Sequence, residues 1–226
     1  QYIQESTLQE IGVKLNLLDN RLYTAIAWYD QDKTYRDSQT GALVAVYGDG
    51  LEFEMRALVN ENLSILATAT HTNTEEVSNG ALAVINGADC AAQNGLNPED
   101  VYGGRIAGPR SAFVGMNTRM ERGGLPDNIV SIYGTWAQEL GEGDVTGSLG
   151  LTWVDETYTD IMQTVMLPSY SIVNGSVSYA QGPFTGLLQV NNLLDEEYYT
   201  SADLFDSVVV KPSAGRTFSL TLTYAF

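Results

Sequence analysis

The feature that most constrains this chain is a strict alternation of apolar and polar residues, which is clearest at its C-terminus. In residues 213–226, SAGRTFSLTLTYAF, an aromatic or aliphatic side chain recurs at every second position from Phe218 to the final residue, Phe226. Alternation with a period of two is typical of a β-strand whose two faces meet different environments. The segment therefore predicts a strand, and the question is whether its apolar face meets a protein core or a lipid bilayer.

The same alternation recurs along most of the sequence, whereas helical periodicity is nearly absent. The other predicted strands are EIGVKLNLL, RLYTAIAWY, LEFEMRALV, LSILATATH, NIVSIYGTW, VTGSLGLTW, SIVNGSVSY and TGLLQVNNL. No run approaches 18 apolar residues, which excludes a membrane-spanning helix but not a membrane barrel, whose strands are only half apolar. The sequence predicts an all-β protein with about nine strands.

Charge and residue usage exclude several classes of function. The chain has 11 Lys and Arg against 28 Asp and Glu, a formal net charge of −17, and phosphate binding needs a basic surface, so nucleic acid is not expected as a partner. Cys90 is the single cysteine and His71 the single histidine. A zinc cluster or an internal disulfide cannot be built from them, and no catalytic constellation accompanies His71. We expect no enzyme and no cofactor, with His71 at the rim of a strand and Cys90 either a free thiol or paired outside this chain.

The connections between the predicted strands alternate between short and long. Tight turns are predicted at residues 19–20, 60–62, 141–144 and 181–183, and longer links at 36–46, 76–127, 157–168 and 196–208. Short turns at one end and long loops at the other are the layout of outer-membrane β-barrels. Aromatic residues near the strand ends on the apolar side fit the interfacial girdles of such barrels: Trp28, Trp136, Trp153, Tyr179, Tyr224 and Phe226. The sequence therefore predicts an antiparallel transmembrane barrel whose apolar face meets lipid.

The last forty residues resemble the C-terminal end of TonB-dependent outer-membrane receptors. NNLLDEEYYTSA matches the family's Asn-Leu-(Leu/Phe)-Asp-(Lys/Glu)-x-Tyr signature through Asn192–Glu196 and Tyr198. The family's Pro-x-x-Gly-Arg element, which opens the last strand, is matched by Pro212, Gly215 and Arg216. Weaker matches to other family strands lie in EIGVKLNLLDNRLYTAIAWYD, GDGLEFEM and LPSYSIVNGSVSY.

The resemblance implies a receptor that takes up a scarce nutrient across the outer membrane of a Gram-negative bacterium, energised through TonB. A ferric siderophore is the commonest cargo in the family, and cobalamin, haem or a glycan stay open. In the family the terminal aromatic is a recognition signal for the barrel-assembly machinery, which here implies that role for Phe226, with Tyr224 beside it. A passive porin-like channel, and a soluble β-sheet binding module, are the alternatives from other classes.

The sequence contains fewer of the family's structural parts than a whole receptor does. Family barrels have 22 strands and follow an N-terminal plug domain that pairs with TonB, whereas about nine strands and no plug are recognised here. We expect residues 1–226 to be the C-terminal portion of a larger receptor barrel.

Two groups of residues are candidates for contact with cargo or plug. Glu52, Glu54 and Arg56 fall on the polar side of a strand, where they are expected to face the lumen, either contacting plug or cargo or simply forming a hydrated wall. Residues 76–127 are expected to form a long extracellular loop, and its candidate ligand-binding residues are Tyr102, Arg105 and Arg110, since arginine and aromatic side chains suit anionic chelates. The same segment holds Arg119 and Arg122. Alternatively, these arginines pair with nearby acids, of which Asp100, Glu121 and Asp127 are the candidates.

Overall fold

A computed structural model describes residues 5–36, 43–78, 119–159, 165–201 and 210–226, and every regular element in these ranges is a β-strand. The strands are β1 (Glu5–Leu17), β2 (Leu22–Arg36), β3 (Leu43–Leu58), β4 (Leu63–Ser78), β5 (Arg119–Glu121), β6 (Asn128–Leu140), β7 (Gly143–Val154), β8 (Thr157–Tyr158), β9 (Met166–Leu167), β10 (Tyr170–Gln181), β11 (Phe184–Asn191), β12 (Tyr199–Ser201), β13 (Val210–Pro212) and β14 (Thr217–Tyr224). In the part of the chain so described, no helix is long and apolar enough to cross a membrane.

The long strands form one antiparallel sheet in which neighbours in sequence are neighbours in space. Its order is β1-β2-β3-β4-β6-β7-β10-β11-β14, and β5 pairs with the end of β4. The nine strands along this path are the nine that alternation predicted. The four remaining short strands form two small hairpins, β8 with β9 and β12 with β13. The first hairpin lies inside the link predicted over 157–168, and the second begins inside the link predicted over 196–208 and ends just beyond it.

The register aligns the apolar residues of neighbouring strands into continuous rows on one face. One such row runs from Ile26 through Phe53, Ala69 and Val130 to Trp153. On the other face, the row from Glu54 reaches Thr68, Ser131 and Thr152. The predicted separation of an apolar face from a polar face is therefore confirmed along these rows, which cross β2, β3, β4, β6 and β7.

The apolar face is not covered by another layer of this chain. Among the residues that the structure describes, only two hydrophobic side chains are buried, Val44 and Leu167. Leu222 in β14 is 77% exposed and Ile11 in β1 is 71% exposed. An apolar surface of this extent is far larger than soluble monomers expose, so the fold needs an apolar surrounding or a partner.

The connections are sorted by sheet end as predicted. Tight turns join β1 to β2, β3 to β4, β6 to β7 and β10 to β11, and all the longer connections lie at the opposite end. In the first turn Leu18, Asp19 and Asn20 all have positive φ. In the second, the Asn60 side-chain oxygen accepts hydrogen bonds from the backbone N–H groups of Asn62 (2.9 Å) and Leu63 (2.8 Å), an Asx turn.

Strands β2, β3 and β4 are longer than predicted. They contain 15, 16 and 16 residues, and the pairing of β2 with β3 continues to Arg36 opposite Leu43. The link predicted over residues 36–46 was therefore too long at both ends. The extra residues extend the sheet at the end that carries the long connections.

The sheet is open, because β1 and β14 each pair on one side only. Every residue of both strands is exposed. The described chain is thus an open sheet with two free edges and not a closed barrel.

Candidate functional site

The predicted lumen-facing residues lie together on the polar face of β3. Arg56 Nε is 2.6 Å from a carboxylate oxygen of Glu54, and the guanidinium lies 6.0 Å from the ring centroid of Tyr23 on the neighbouring strand. Glu52 is two residues away on the same face and is exposed. The side chain of Arg56 is itself 70% exposed, so water screens this ion pair and its contribution to stability is small. The role of Glu52, Glu54 and Arg56 toward a plug or cargo stays a prediction.

The polar face changes character from β6 onwards, where hydroxyl and amide side chains replace charges. Ser131 pairs with Thr152 at 3.0 Å between hydroxyl oxygens, and Thr135 pairs with Ser148 at 3.3 Å. On the polar face of β6, β7, β10, β11 and β14, the described charged residues are Glu139 and Asp144, both next to a tight turn. Such a wall donates and accepts hydrogen bonds without attracting either sign of charge.

The base of the long segment 76–127 is a strand pair braced by two ion pairs. Arg119 in β5 contacts Glu75 in β4, and its guanidinium lies 4.4 Å from the ring centroid of Tyr47. Arg122 lies 3.9 Å from Glu76. The structure therefore pairs these two arginines with glutamates of β4. The candidates in the alternative of local ion pairs were Asp100, Glu121 and Asp127, of which Asp100 lies outside the described residues. Both ends of the predicted loop are consequently part of the sheet.

The candidate ligand residues Tyr102, Arg105 and Arg110 lie outside the described residues, as does Cys90. The extracellular position of residues 76–127, the ligand role of the three side chains and the state of the thiol stay predictions.

The C-terminal end of the same segment is tied to the connection between β7 and β10, which is tied in turn to the connection between β11 and β14. The Gly124 N–H donates to the Tyr158 carbonyl at 2.6 Å, and the Thr157 hydroxyl donates to the Leu125 carbonyl at 3.0 Å. The Ser201 hydroxyl reaches the carbonyl of Thr159 at 3.4 Å. These hydrogen bonds fix the described parts of the three connections relative to one another along this end of the sheet.

The signature residues near the C-terminus form a clamp between the end of β11 and the start of β14. Asn192, only 5% exposed, accepts a hydrogen bond from the Glu196 N–H and donates to the Glu196 carbonyl, both at 2.9 Å. Asp195 Oδ1 accepts the Arg216 backbone N–H at 2.8 Å, and Arg216 Nη1 donates to the Leu193 carbonyl at 3.1 Å. The polar signature residues Asn192, Asp195 and Arg216 therefore have specific partners, which the sequence alone did not indicate.

The turn residues of the clamp need unusual backbone angles. Asn192 and Asp195 have φ of +52° and +58°, and Gly215 has φ of +70°. Asn and Asp tolerate the left-handed region better than other side chains, which explains the residue types of the signature. Beyond the clamp, the ring of Tyr198 stacks on that of Tyr170 in β10 at a centroid distance of 4.2 Å.

His71 is exposed, but it lies in the middle of β4 and not at the strand end that the sequence predicted, because β4 continues to Ser78. Its Nδ1 lies 2.9 Å from Asn128 Oδ1, and Asn128 donates through Nδ2 to Asp155 at 2.6 Å. A carboxylate can only accept, so the Asn128 oxygen faces His71 and the Nδ1 of His71 carries the proton. Across the described ranges, no group of three His, Cys, Asp or Glu side chains is placed to hold a metal ion.

Aromatic side chains cluster at the other end of the last strand. The rings of Phe184 and Tyr224 are 4.7 Å apart between centroids, and Tyr224 meets Phe226 edge-on at 5.2 Å. All three belong to the apolar side of the sheet, next to the tight turn between β10 and β11. The predicted assembly residues Tyr224 and Phe226 therefore lie at the end opposite the long connections.

Comparison with known proteins places this sheet among receptor barrels. No protein-family model matches the sequence, and no curated protein matches it. Among solved structures, the chain is similar to the ferric yersiniabactin uptake receptor FyuA from Yersinia pestis, with a TM-score of 0.71 and 16% identity over 99% of this chain and 30% of that one.

Two further structures show the same likeness. The siderophore receptor PiuA from Acinetobacter baumannii gives a TM-score of 0.65 and 21% identity, covering 97% of this chain and 28% of that one. The ferripyoverdine receptor of the outer membrane of Pseudomonas aeruginosa gives 0.61 and 17%, covering 98% and 27%. This chain spans less than a third of the length of each. Its fold is that of a part of the β-barrel of TonB-dependent siderophore receptors.

Proposed function

We propose that this chain is the C-terminal part of a TonB-dependent receptor in the outer membrane of a Gram-negative bacterium, and that the whole receptor imports a ferric siderophore. The observation that carries the proposal is an open antiparallel sheet with one continuous apolar face, superimposable over nearly its whole length on ferric siderophore receptors. TonB acts in this proposal through a plug domain encoded outside residues 1–226.

The two faces of the sheet have separate partners in this function. The apolar face meets outer-membrane lipid, where exposed leucine and phenylalanine side chains are stabilised instead of being a liability. The polar face lines the lumen. The free backbone groups along β1 and β14 cannot stay unpaired in lipid, so the remaining strands of the larger barrel pair with them.

Phe226, which follows the last strand, acts as the recognition signal for the barrel-assembly machinery. Phe226 ends the aromatic group formed with Tyr224 and Phe184. Deleting Phe226 from the full-length receptor should lower the amount assembled in the outer membrane several-fold, with the affinity of the assembled fraction for cargo unchanged. Surface labelling and cargo titration on the same cells measure the two quantities. Unchanged surface levels would show that the residue is an anchor only.

Energised import distinguishes this function from that of a passive porin-like channel. The neutral, hydroxyl-lined polar face of β6 to β14 is also compatible with such a channel. Uptake of a labelled ferric siderophore by cells with the full-length receptor is expected to saturate and to stop when TonB is deleted. Uptake that rises linearly with external concentration and persists without TonB would establish the porin-like alternative. Neutral sugars of similar size serve as the passive-flux control.

Arg105 and Arg110 supply positive charge for capturing an anionic chelate at the mouth of this acidic protein. Their joint replacement by Ala in the full-length receptor should weaken cargo binding about tenfold or more, because charge-assisted hydrogen bonds to an anion are strong. The loss should be larger at low salt than at high salt. The matched control is Arg119→Ala, which removes an arginine that the structure pairs with Glu75. Equal affinities and equal salt slopes for all three proteins would place the cargo elsewhere.

A further inference from the structure

The last strand of the sheet lacks the device that normally sets strand register. Strands β11 and β14 pair from Phe184 opposite Tyr224 to Asn191 opposite Thr217, but residues 192–216 connect them. In a hairpin with a tight turn, the turn fixes the register. A connection of this length leaves the choice of partner residues to other contacts.

The alternation of β14 fixes the register only in part. A shift by one residue would turn every side chain to the opposite face and is strongly disfavoured. A shift by two residues keeps both faces, because Phe218, Leu220 and Leu222 alternate with Ser219 and Thr221. Apolar residues of β11 would again lie opposite apolar residues of β14, so side-chain patterning hardly distinguishes the two registers.

The clamp does distinguish them. Arg216 immediately precedes β14, and its backbone N–H and its guanidinium are bound to Asp195 and to the carbonyl of Leu193. A two-residue shift moves the chain by about 6.7 Å, which would break both contacts.

The receiving side of the clamp is itself held fixed against β10. The Asn192 N–H donates to the Asn174 side chain at 2.9 Å, and the Leu193 N–H donates to the Val173 carbonyl at 2.7 Å. Asn192 closes the turn onto Glu196 from both sides. Arg216 is therefore located relative to two preceding strands, not only to a neighbouring loop.

We propose that the Asp195–Arg216 contact is the register key of the C-terminal strand: it selects one of the registers that the repeating sequence of β14 permits. The key acts on the position of β14 and does not depend on which cargo the receptor carries. It also fixes how far Phe226 extends past the tight-turn end of the sheet, because a two-residue shift displaces that residue by the same distance.

Disulfide trapping in the full-length receptor tests this directly. In a Cys90→Ser background, cysteines replace Leu188 and Leu220, which are opposite in the observed register. A second double-cysteine variant pairs position 188 with 222, and a third pairs it with 218, to capture slips in either direction. A parallel set of double-cysteine variants combines position 187 with 221, 223 or 219. Hydrogen-bonded and non-hydrogen-bonded residue pairs alternate along an antiparallel ladder and differ in Cα separation, so the two sets together sample both kinds of pair. Mass spectrometry of oxidised outer membranes gives the ratio of slipped to native cross-links.

Asp195→Ala should raise that ratio about tenfold over the unsubstituted receptor, since it removes the acceptor that holds the Arg216 N–H. Asp195→Asn keeps a side-chain oxygen in place and should restore the native ratio. Tyr198→Leu, which removes the stack on Tyr170 without touching the clamp, controls for general loosening and should leave the ratio unchanged.

Arg216→Gln decides the matter if Asp195→Ala fails to reach the membrane, because it loses the guanidinium contacts but keeps the backbone N–H. It should give an intermediate ratio. A native ratio in every assembled variant with a broken clamp would overturn the proposal, and so would an equal rise in Tyr198→Leu. Cargo uptake plays no part in the readout, so failure here is distinct from failure of the transport function.

Discussion

Leu222→Arg is expected to destabilise the full-length barrel by about 2–4 kcal/mol, the cost of placing arginine on the lipid face near the midplane. Leu222 is 77% exposed on the apolar face of β14, midway between Phe218 and Phe226. Its neighbour across the strand pair is Gly186, which offers an arginine no polar partner. The measurement is reversible urea unfolding from bilayers, monitored by tryptophan fluorescence.

Thr221→Arg is the matched control, since it adds the same side chain to the same strand one position earlier. Thr221 points to the polar face opposite Leu187, where the guanidinium stays hydrated, and a change within about 0.5 kcal/mol is expected. Equal losses for the two variants would mean that the apolar face does not meet lipid. A larger loss for Thr221→Arg would reverse the assignment of the two faces.

Gly50→Ala is expected to destabilise the barrel by about 1–3 kcal/mol through overpacking. A Cβ added at Gly50 would lie 2.4 Å from the carbonyl oxygen of His71 and 2.6 Å from the hydroxyl of Tyr29. The Tyr29 ring crosses this glycine to reach Thr72, with 2.7 Å between the two hydroxyl oxygens. A methyl group therefore displaces both a backbone carbonyl of β4 and an aromatic ring.

Gly48→Ala provides a close control on the same strand and the same face. Its added Cβ would have no neighbour nearer than 4.0 Å, and alanine costs less conformational entropy than glycine in a strand. A neutral effect or a gain of up to about 1 kcal/mol is expected. Combining Gly50→Ala with Tyr29→Leu should recover only part of the loss, because the His71 carbonyl remains in the way. Similar unfolding free energies for Gly48→Ala and Gly50→Ala would refute this packing.

Alternation identified the long strands because each separates two environments along most of its length. It failed where that contrast ends. In the upper part of β2 and β3, Asp30 lies opposite Asp49 and Asp32 opposite Tyr47, so both faces carry polar side chains and the period-two signal disappears. Backbone pairing continues there without it, which is why the strands were predicted too short.

The short strands and the clamp were beyond sequence reasoning for another reason. A strand of two or three residues, such as β8 or β12, has no periodicity to detect and exists only because a partner is nearby. The signature around Asn192 and Asp195 was recognised as a motif, but its partners Asn174 and Arg216 are distant in sequence. The pairing of Arg119 with Glu75 likewise follows from the register of β5 on β4, which no local pattern encodes.

The apolar positions occupy stretches of nearly constant length, although the strands that contain them run from 8 to 16 residues. They span residues 22–28 in β2, 51–57 in β3, 63–69 in β4 and 218–226 in β14 and the two residues after it. The length of the apolar stretch and the total length of the strand that contains it are thus independent of each other in this sheet. Adding residues to β2, β3 and β4 at the long-connection end raises the base of the segment between β4 and β6 further from the apolar zone without altering what that zone touches. The length of the strands beyond the apolar zone, and with it the distance of the long connections from that zone, can therefore vary while the apolar zone itself stays the same.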